Sequence, residues 1–120
     1  MTNEESKHIF DLEERTAKFG ENILVLCSKI KISVITEPLI KQIIRSATSI
    51  GANYMEANGA SSKKDFRNKI YICKKESQET KHWLRMLLAV VPEQEADLKF
   101  LWQEAHELSC IFNKISKSAE

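Results

Sequence analysis

Carboxylates and histidines recur in this sequence at spacings that suit a pair of metal ions. Glu79 and His82 form a Glu-x-x-His pattern, and Glu5 and His8 form another. The further carboxylates that a di-metal helical bundle would need are Glu56 and Glu104. Helical spacing argues against the site, because His82 lies about 170° around its helix from the apolar seam. We therefore expect no metal and no other cofactor.

Nucleophilic catalysis finds equally little support. Cys27 and Cys110 lie in stretches with helical apolar periodicity, so we expect both thiols to pack in the interior. The chain has only three Gly, and it contains neither a Gly-x-Ser-x-Gly sequence nor a glycine loop that could hold phosphate. The sequence thus predicts a non-enzymatic protein without a small-molecule substrate. Its three scattered Cys favour reduced thiols in a cytoplasmic protein.

Positive charge is concentrated in one segment, although the net charge is only +1. Residues 61–85 carry eight Lys or Arg against three Asp or Glu, whereas residues 1–22 and 91–107 are acidic. Five of these cations share one side of a predicted helix over about 33 Å. They form the basic ribbon: Lys63, Arg67, Lys74, Lys81 and Arg85. Such a ribbon can follow several phosphates of a nucleic acid, but it is equally typical of a solvated face or of attraction between neighbouring helices.

The elements that position these side chains are helices. Two Pro and three Gly are too few for the turns of a sandwich or barrel, and apolar residues recur at helical spacing. We predict helices over about 3–32, 37–57, 63–90 and 93–116. Their short connections predict an all-α, antiparallel up-down-up-down four-helix bundle, formed by residues 1–120 as a single domain. No segment is apolar enough for a membrane span.

Local signals set the predicted ends of these helices. Thr36 is a candidate N-cap, and Pro38 is tolerated in the first turn that follows it. Asn58-Gly59 predicts a turn, and Ser62 with Asp65 resembles a capping box. Pro92 ends the third helix.

The third helix has two apolar sides. Its predicted core seam consists of Phe66, Ile70, Cys73, Ser77, Thr80, Leu84 and Leu87. A second stripe, the apolar flank, consists of Ile72, Trp83, Met86 and Val90. The flank fits either a wide core edge or a subunit interface. Trp102 and Phe112 on the fourth helix add further large apolar groups, so we favour an oligomer.

Polar residues on the second helix call for partners, because an unpaired buried polar group costs about 1–3 kcal/mol. The helix also carries small residues that allow another helix to approach closely. We predict one structural polar cluster that fixes helix pairing and performs no chemistry. Its members are Arg15, Arg45, Asn53, Glu56, Glu76 and Glu79.

The segment RSATSIGAN, residues 45–53, resembles a signature of a bacterial family of four-helix bundle proteins. Members of this family are encoded by intervening sequences of 23S rRNA genes, and the accessory variability-determinant proteins of diversity-generating retroelements are relatives. The resemblance continues through residues 56–57, 62–66, 75–80 and 83–84, and it begins at Asp11 and ends near Leu108.

The resemblance implies a ring-shaped homopentamer without catalytic activity. It further implies that accessory members bind a reverse transcriptase and nucleic acid through basic surfaces, for which the basic ribbon is the matching candidate. We therefore expect a non-enzymatic scaffold that binds RNA or a nucleoprotein. A protein–protein interaction module without nucleic-acid binding is the alternative.

Overall fold

Four α-helices and one short 3₁₀ turn make up the protein in a computed structural model, which describes the backbone of residues 3–119 and the side chains of residues 12–119. In chain order the elements are α1 (Asn3–Ser28), α2 (Thr36–Asn58), α3 (Lys63–Val90), the 3₁₀ turn Pro92–Gln94 and α4 (Glu95–Ser118). No strand occurs between residues 3 and 119. The predicted all-α class is confirmed.

Residues that contact each other across α1 and α2 follow opposite orders along the two helices. Gly20 of α1 faces Thr48 of α2, and Asn58 at the end of α2 donates a hydrogen bond of 2.6 Å to Glu13, early in α1. These contacts make α1 and α2 antiparallel. Only a 3₁₀ turn separates α3 from α4, so this pair also has to run antiparallel.

The four helices do not contact one another equally. α3 packs extensively against both α2 and α4, whereas α1 packs mainly against α2 and touches α4 less. This asymmetry leaves open grooves on the α1 side of the bundle. One of them, between α1 and α2, has a volume of about 380 Å³ and is bordered by Gly20, Leu24, Ala52 and Met55.

The core lies along the predicted seam of α3. Six of its seven residues are buried, and Phe66 at the start of the helix is half-buried. Phe112 of α4 is fully buried and packs on Tyr54 of α2, with ring centroids 5.9 Å apart. Phe112 is therefore a core residue and gives no support to the predicted oligomer. Its position in the helical period places it on the core side of α4.

Small residues let α1 and α2 come close together, as their sequence predicts. A Cβ atom built on Gly51 would lie 3.3 Å from Oγ1 of Thr16, which is tighter than ordinary contact. On the other side of α2, the buried Ser46 accepts a hydrogen bond of 2.9 Å from the Thr80 hydroxyl. Every buried polar side-chain atom among the described residues has a hydrogen-bond partner. Small and hydroxyl-bearing residues thus set the spacing of α2 from its two neighbours.

The end of α1 and the start of α2 differ from prediction. α1 ends at Ser28, four residues before its predicted end, where the Lys29 and Ile30 N–H groups bond to the carbonyls three residues earlier. The Ser33 hydroxyl accepts from the Thr36 N–H at 3.0 Å, and the Thr36 hydroxyl accepts from the Ser33 N–H at 2.9 Å. Ile35, the residue before α2, makes no side-chain cap, so Thr36 is not the N-cap and the Ser33 hydroxyl holds the turn that leads into the helix.

The caps of the later helices follow the sequence more closely. The Ser62 hydroxyl accepts a hydrogen bond from the Asp65 N–H at 3.1 Å, which confirms the predicted cap of α3. Pro92 begins the 3₁₀ turn, so α4 starts at Glu95 rather than at 93. Among the described residues, no helix combines the length and apolar character needed to cross a membrane.

Candidate nucleic-acid interface

The basic ribbon lies on the side of α3 that borders α4. Lys63, Arg67 and Arg85 are exposed, and Lys74 and Lys81 are half-buried. The position of Lys81 shows that the ribbon faces α4, because the Lys81 Nζ lies 3.1 Å from Nδ1 of His106 on that helix. The exposed Tyr71 lies about 40–80° further around the helix from the ribbon. Charge spacing, from which the ribbon is predicted, does not indicate this aromatic residue.

Three acidic side chains of α4, Asp97, Glu104 and Glu107, contact cations of α1, whereas Glu95 pairs with Lys99 of its own helix. Arg15 of α1 holds Glu104 through two hydrogen bonds of 2.8 and 2.7 Å, and it also contacts Glu107 at 3.1 Å. Asp97 lies 3.8 Å from the ammonium of Lys29, also on α1. Hydrogen bonds from Arg15 to Glu104 are the main reason that the pKa of this guanidinium is raised.

As a result, the ribbon keeps its positive charge. Among residues 12–119, none of its five cations has a carboxylate within ion-pairing distance. The nearby Lys69 differs, because it contacts Glu56 of α2 at 3.6 Å. Attraction between neighbouring helices therefore accounts for Asp97, Glu104 and Glu107 of α4 but gives the five cations of the ribbon no partner among residues 12–119.

Lys81 also contacts an aromatic group on α4 that charge spacing alone does not predict. Its Nζ lies 5.2 Å from the centroid of the Trp102 ring, and this ring stacks on His106 with centroids 5.4 Å apart and planes 9° apart. The Lys81 ammonium can donate to Nδ1 of His106, and Nε2 of the same ring lies 3.8 Å from the sulfur of Cys110. The spacing 102, 106, 110 on one helix face was the available signal.

The predicted polar cluster forms only in part. Arg45 contacts Glu76 at 3.0 Å and also Glu79, and the Trp83 indole N–H donates to Glu79 at 2.9 Å. The Ser49 hydroxyl lies 3.4 Å from the Glu76 carboxylate. These five residues form the Arg45 cluster, which joins α2 to α3.

The other three predicted members lie elsewhere, which corrects the prediction of a single cluster. Arg15 binds α4, because the contact between α1 and α4 brings Glu104 to it. Asn53 donates to the Ser49 carbonyl at 2.8 Å within its own helix, and Glu56 is paired with Lys69. Helical spacing gave the face of each residue but not the neighbour that this face meets.

The apolar flank of α3 is only partly exposed. Ile72, Trp83 and Met86 are half-buried, and Val90 is exposed. Trp83 packs against the core, as a wide core edge would require. The larger exposed apolar side chains belong to other surfaces, with Leu24 and Met55 at the α1–α2 groove and Phe100 on the α1 side of α4.

The three thiols fall into two kinds of environment. Cys27 and Cys73 are buried, and burial raises the pKa of the Cys27 thiol to about 11 and that of Cys73 to about 12. Cys110 is exposed, so the prediction that it packs in the interior is wrong. Position 110 lies on the α3 side of α4, next to His106, and not on the core stripe.

The residues considered for metal binding have other partners. Glu79 belongs to the Arg45 cluster, Glu104 is held by Arg15, and His82 is exposed beside Trp83. Among the described residues, no three side chains of His, Cys, Asp or Glu converge on one point. Glu5 and His8 lie outside the residues whose side chains the structure describes.

Together, the fold and this surface define a four-helix bundle with a basic face whose five cations have no ion-pair partner in the described part of the chain, residues 12–119. The sequence matches the family model described as 23S rRNA-intervening sequence protein over residues 10–114, so the chain belongs to this family. No curated protein matches significantly.

A solved structure agrees with this assignment. The chain is similar to a protein of unknown function from the S23 ribosomal protein family of Bacteroides thetaiotaomicron. The two are 32% identical, the match covers 88% of this chain and 97% of that chain, and the TM-score is 0.78.

Proposed function

We propose that the protein is a non-enzymatic helical-bundle scaffold of the cytoplasm that binds RNA through the basic ribbon. The observation that carries this proposal is the direction of the acidic groups of α4. Asp97, Glu104 and Glu107 pair with α1, and among residues 12–119 the five cations of the ribbon have no carboxylate within ion-pairing distance. A row of this kind attracts a polyanion and gains affinity by releasing its counterions.

The family supports RNA over other polyanions, because both the matched family model and the similar structure are named for ribosomal RNA or ribosomal protein. A nucleoprotein such as a reverse transcriptase with its RNA is a partner that the same surface would suit. Glu79 and Glu104 are held in ion pairs and two of the three thiols, Cys27 and Cys73, are buried, which supports a scaffold over an enzyme.

Charge reversal within the ribbon tests this function. The double variant Lys74→Glu and Lys81→Glu should bind structured RNA about tenfold or more weakly at low salt, because two phosphate contacts are replaced by repulsion. The slope of log affinity against log salt concentration should fall by about 1–2 units, since each lost contact releases about one counterion fewer. Fluorescence anisotropy with a labelled RNA measures both quantities.

Lys18→Glu with Lys31→Glu is the matched control, because it makes the same charge change at two exposed lysines of α1 and the connection that follows it, away from the ribbon. An equal loss of affinity in both double variants would show that only net charge matters. Absence of any RNA binding by the unmodified protein at about 50 mM salt would contradict the proposal. That result would favour the alternative, a protein–protein interaction module, which the exposed Leu24, Met55 and Phe100 could serve.

We also propose that the scaffold is a homo-oligomer, and the resemblance described above suggests five subunits. The exposed apolar groups at the α1–α2 groove support self-association, since burial of apolar area is the usual driving force. The chain mass is 13.8 kDa. Sedimentation at micromolar concentration should therefore give a multiple of this mass, and Met55→Glu at the exposed edge of the groove should shift the equilibrium toward monomer. A monodisperse monomer of the unmodified protein would contradict the oligomer.

A further inference from the structure

A small pocket lies between α3 and α4 at the carboxyl-terminal end of the basic ribbon. Its volume is about 210 Å³. The residues that line it are Leu84, Arg85, Leu88, Leu98, Lys99 and Trp102. Leu84 and Leu98 are buried and form an apolar floor, while Arg85 and Lys99 are exposed at the rim. The pocket thus combines an apolar interior with positive charge at its entrance.

Trp102 forms one wall of this pocket and is held in place from its other side. The indole is 38% exposed, and it stacks on His106, which lies one turn later in α4. Leu98 and Lys99, which line the pocket, lie about one turn earlier. The ring is therefore supported on the His106 side and borders the pocket on the other side. Contact with the Lys81 ammonium orients it further.

The charges around the pocket favour a phosphate next to its occupant. Arg85 has no carboxylate partner among residues 12–119, and Lys81 lies against the Trp102 ring. Lys99 carries a counter-charge, because Glu95 contacts it at 2.6 Å. Both Lys81 and Arg85 belong to the ribbon, so a strand that follows the ribbon would reach the pocket.

We propose that this pocket binds one unpaired base of RNA, stacked on Trp102, with the adjacent phosphate on Arg85. This rests on the proposed RNA-binding function and adds to it a preference for single-stranded segments. Stacking of a base on an aromatic side chain beside cations is the usual way to hold an unpaired nucleotide. A paired base is enclosed in its helix and would have to flip out before it could enter.

Nucleoside monophosphates test the pocket directly in the unmodified protein. Trp83 and Trp102 each give one indole N–H signal in a ¹H–¹⁵N NMR spectrum. The signal that is lost in the Trp102→Phe variant belongs to Trp102. AMP at about 10 mM should shift the Trp102 signal, since a single stacked base binds in the millimolar range, and leave Trp83 unchanged. Ribose 5-phosphate, which keeps the phosphate but lacks a base, should shift neither. An unmoved Trp102 signal with AMP, or an equal shift with ribose 5-phosphate, would overturn the proposal.

Oligonucleotides then test the preference for unpaired RNA. Trp102→Ala should weaken binding of a single-stranded RNA about tenfold and leave binding of a duplex of equal length unchanged. Trp102→Phe, which retains an aromatic face, should keep most of the single-strand affinity. Equal losses for single strand and duplex in Trp102→Ala would contradict the base-binding role.

The two proposals fail in different ways. If AMP shifts the Trp102 signal but charge reversal at Lys74 and Lys81 leaves RNA affinity unchanged, the pocket is a nucleotide site and the ribbon function is wrong. If charge reversal weakens RNA binding but AMP has no effect on Trp102, the ribbon binds phosphate alone and the pocket proposal is wrong.

Discussion

Replacement of Phe112 by alanine is expected to lower the free energy of unfolding by about 3–5 kcal/mol. Phe112 is 0% exposed, and its ring packs on Tyr54 with centroids 5.9 Å apart. The pair joins α4 to α2 across the interior of the bundle. Truncation of Phe112 removes its apolar contacts with both helices. It also leaves a cavity that the packed helices cannot fill completely by moving together.

Phe100→Ala is the matched control, because it makes the same chemical change at a residue of the same helix that is 69% exposed. It should alter the unfolding free energy by about 0.5 kcal/mol or less. Urea denaturation followed by circular dichroism, with all variants at one protein concentration, measures both. Equal destabilisation by the two substitutions would contradict the packing described for α4.

Removal of the Arg45 side chain is the second large effect that we expect, at about 2–3 kcal/mol of unfolding free energy. The Glu76 side chain is 9% exposed, whereas that of Arg45 is 48% exposed. Arg45→Ala leaves the buried carboxylate with only the long contact to Ser49, and an unpaired buried charge is costly. We place the effect below that of a fully buried ion pair because solvent screens the guanidinium.

Replacing the Glu76 carboxylate with an uncharged amide should relieve this destabilisation. Adding Glu76→Gln to Arg45→Ala removes the unpaired charge, so the double variant should recover at least about 1 kcal/mol relative to Arg45→Ala alone. Lys41→Ala, one turn earlier in α2, breaks the exposed pair with Glu37 and should cost about 0.5 kcal/mol or less. The same urea titrations test these variants. Strictly additive losses in the double variant would show that Arg45 does not act through Glu76.

Much of the fold could be predicted because helical periodicity and end signals are local properties of the sequence. The core seam of α3 followed from spacing alone, and Ser62 and Pro92 marked the two ends of that helix. The connection between α1 and α2 was harder to predict, and the predicted end of α1 was four residues too late. Ser33 and Thr36 each satisfy the other's backbone N–H, and a reciprocal Ser-x-x-Thr pair is a weaker signal than the usual Ser-x-x-Glu.

The candidate site could be predicted only in part. The basic ribbon is a property of one helix, so spacing placed its five cations on one side. Whether they keep their charge depends on other helices. The absence of counter-charge on the ribbon, among residues 12–119, was decided by the contact of α1 with α4, because this contact brings Glu104 to Arg15 and away from Lys81. For the same reason Arg15 was assigned to the wrong cluster.

The sequence by itself determined the number of helices, the buried stripe of α3 and the row of cations beside it. The tertiary structure alone decided which faces meet, and so assembled the pocket of Trp102 with Arg85 and separated Arg15 from Arg45. The physical reason is the separation along the sequence over which the interactions act. Helix formation and the direction of each face follow from hydrogen bonds and sterics within about four residues, whereas ion pairs and pockets form between residues that only packing brings together.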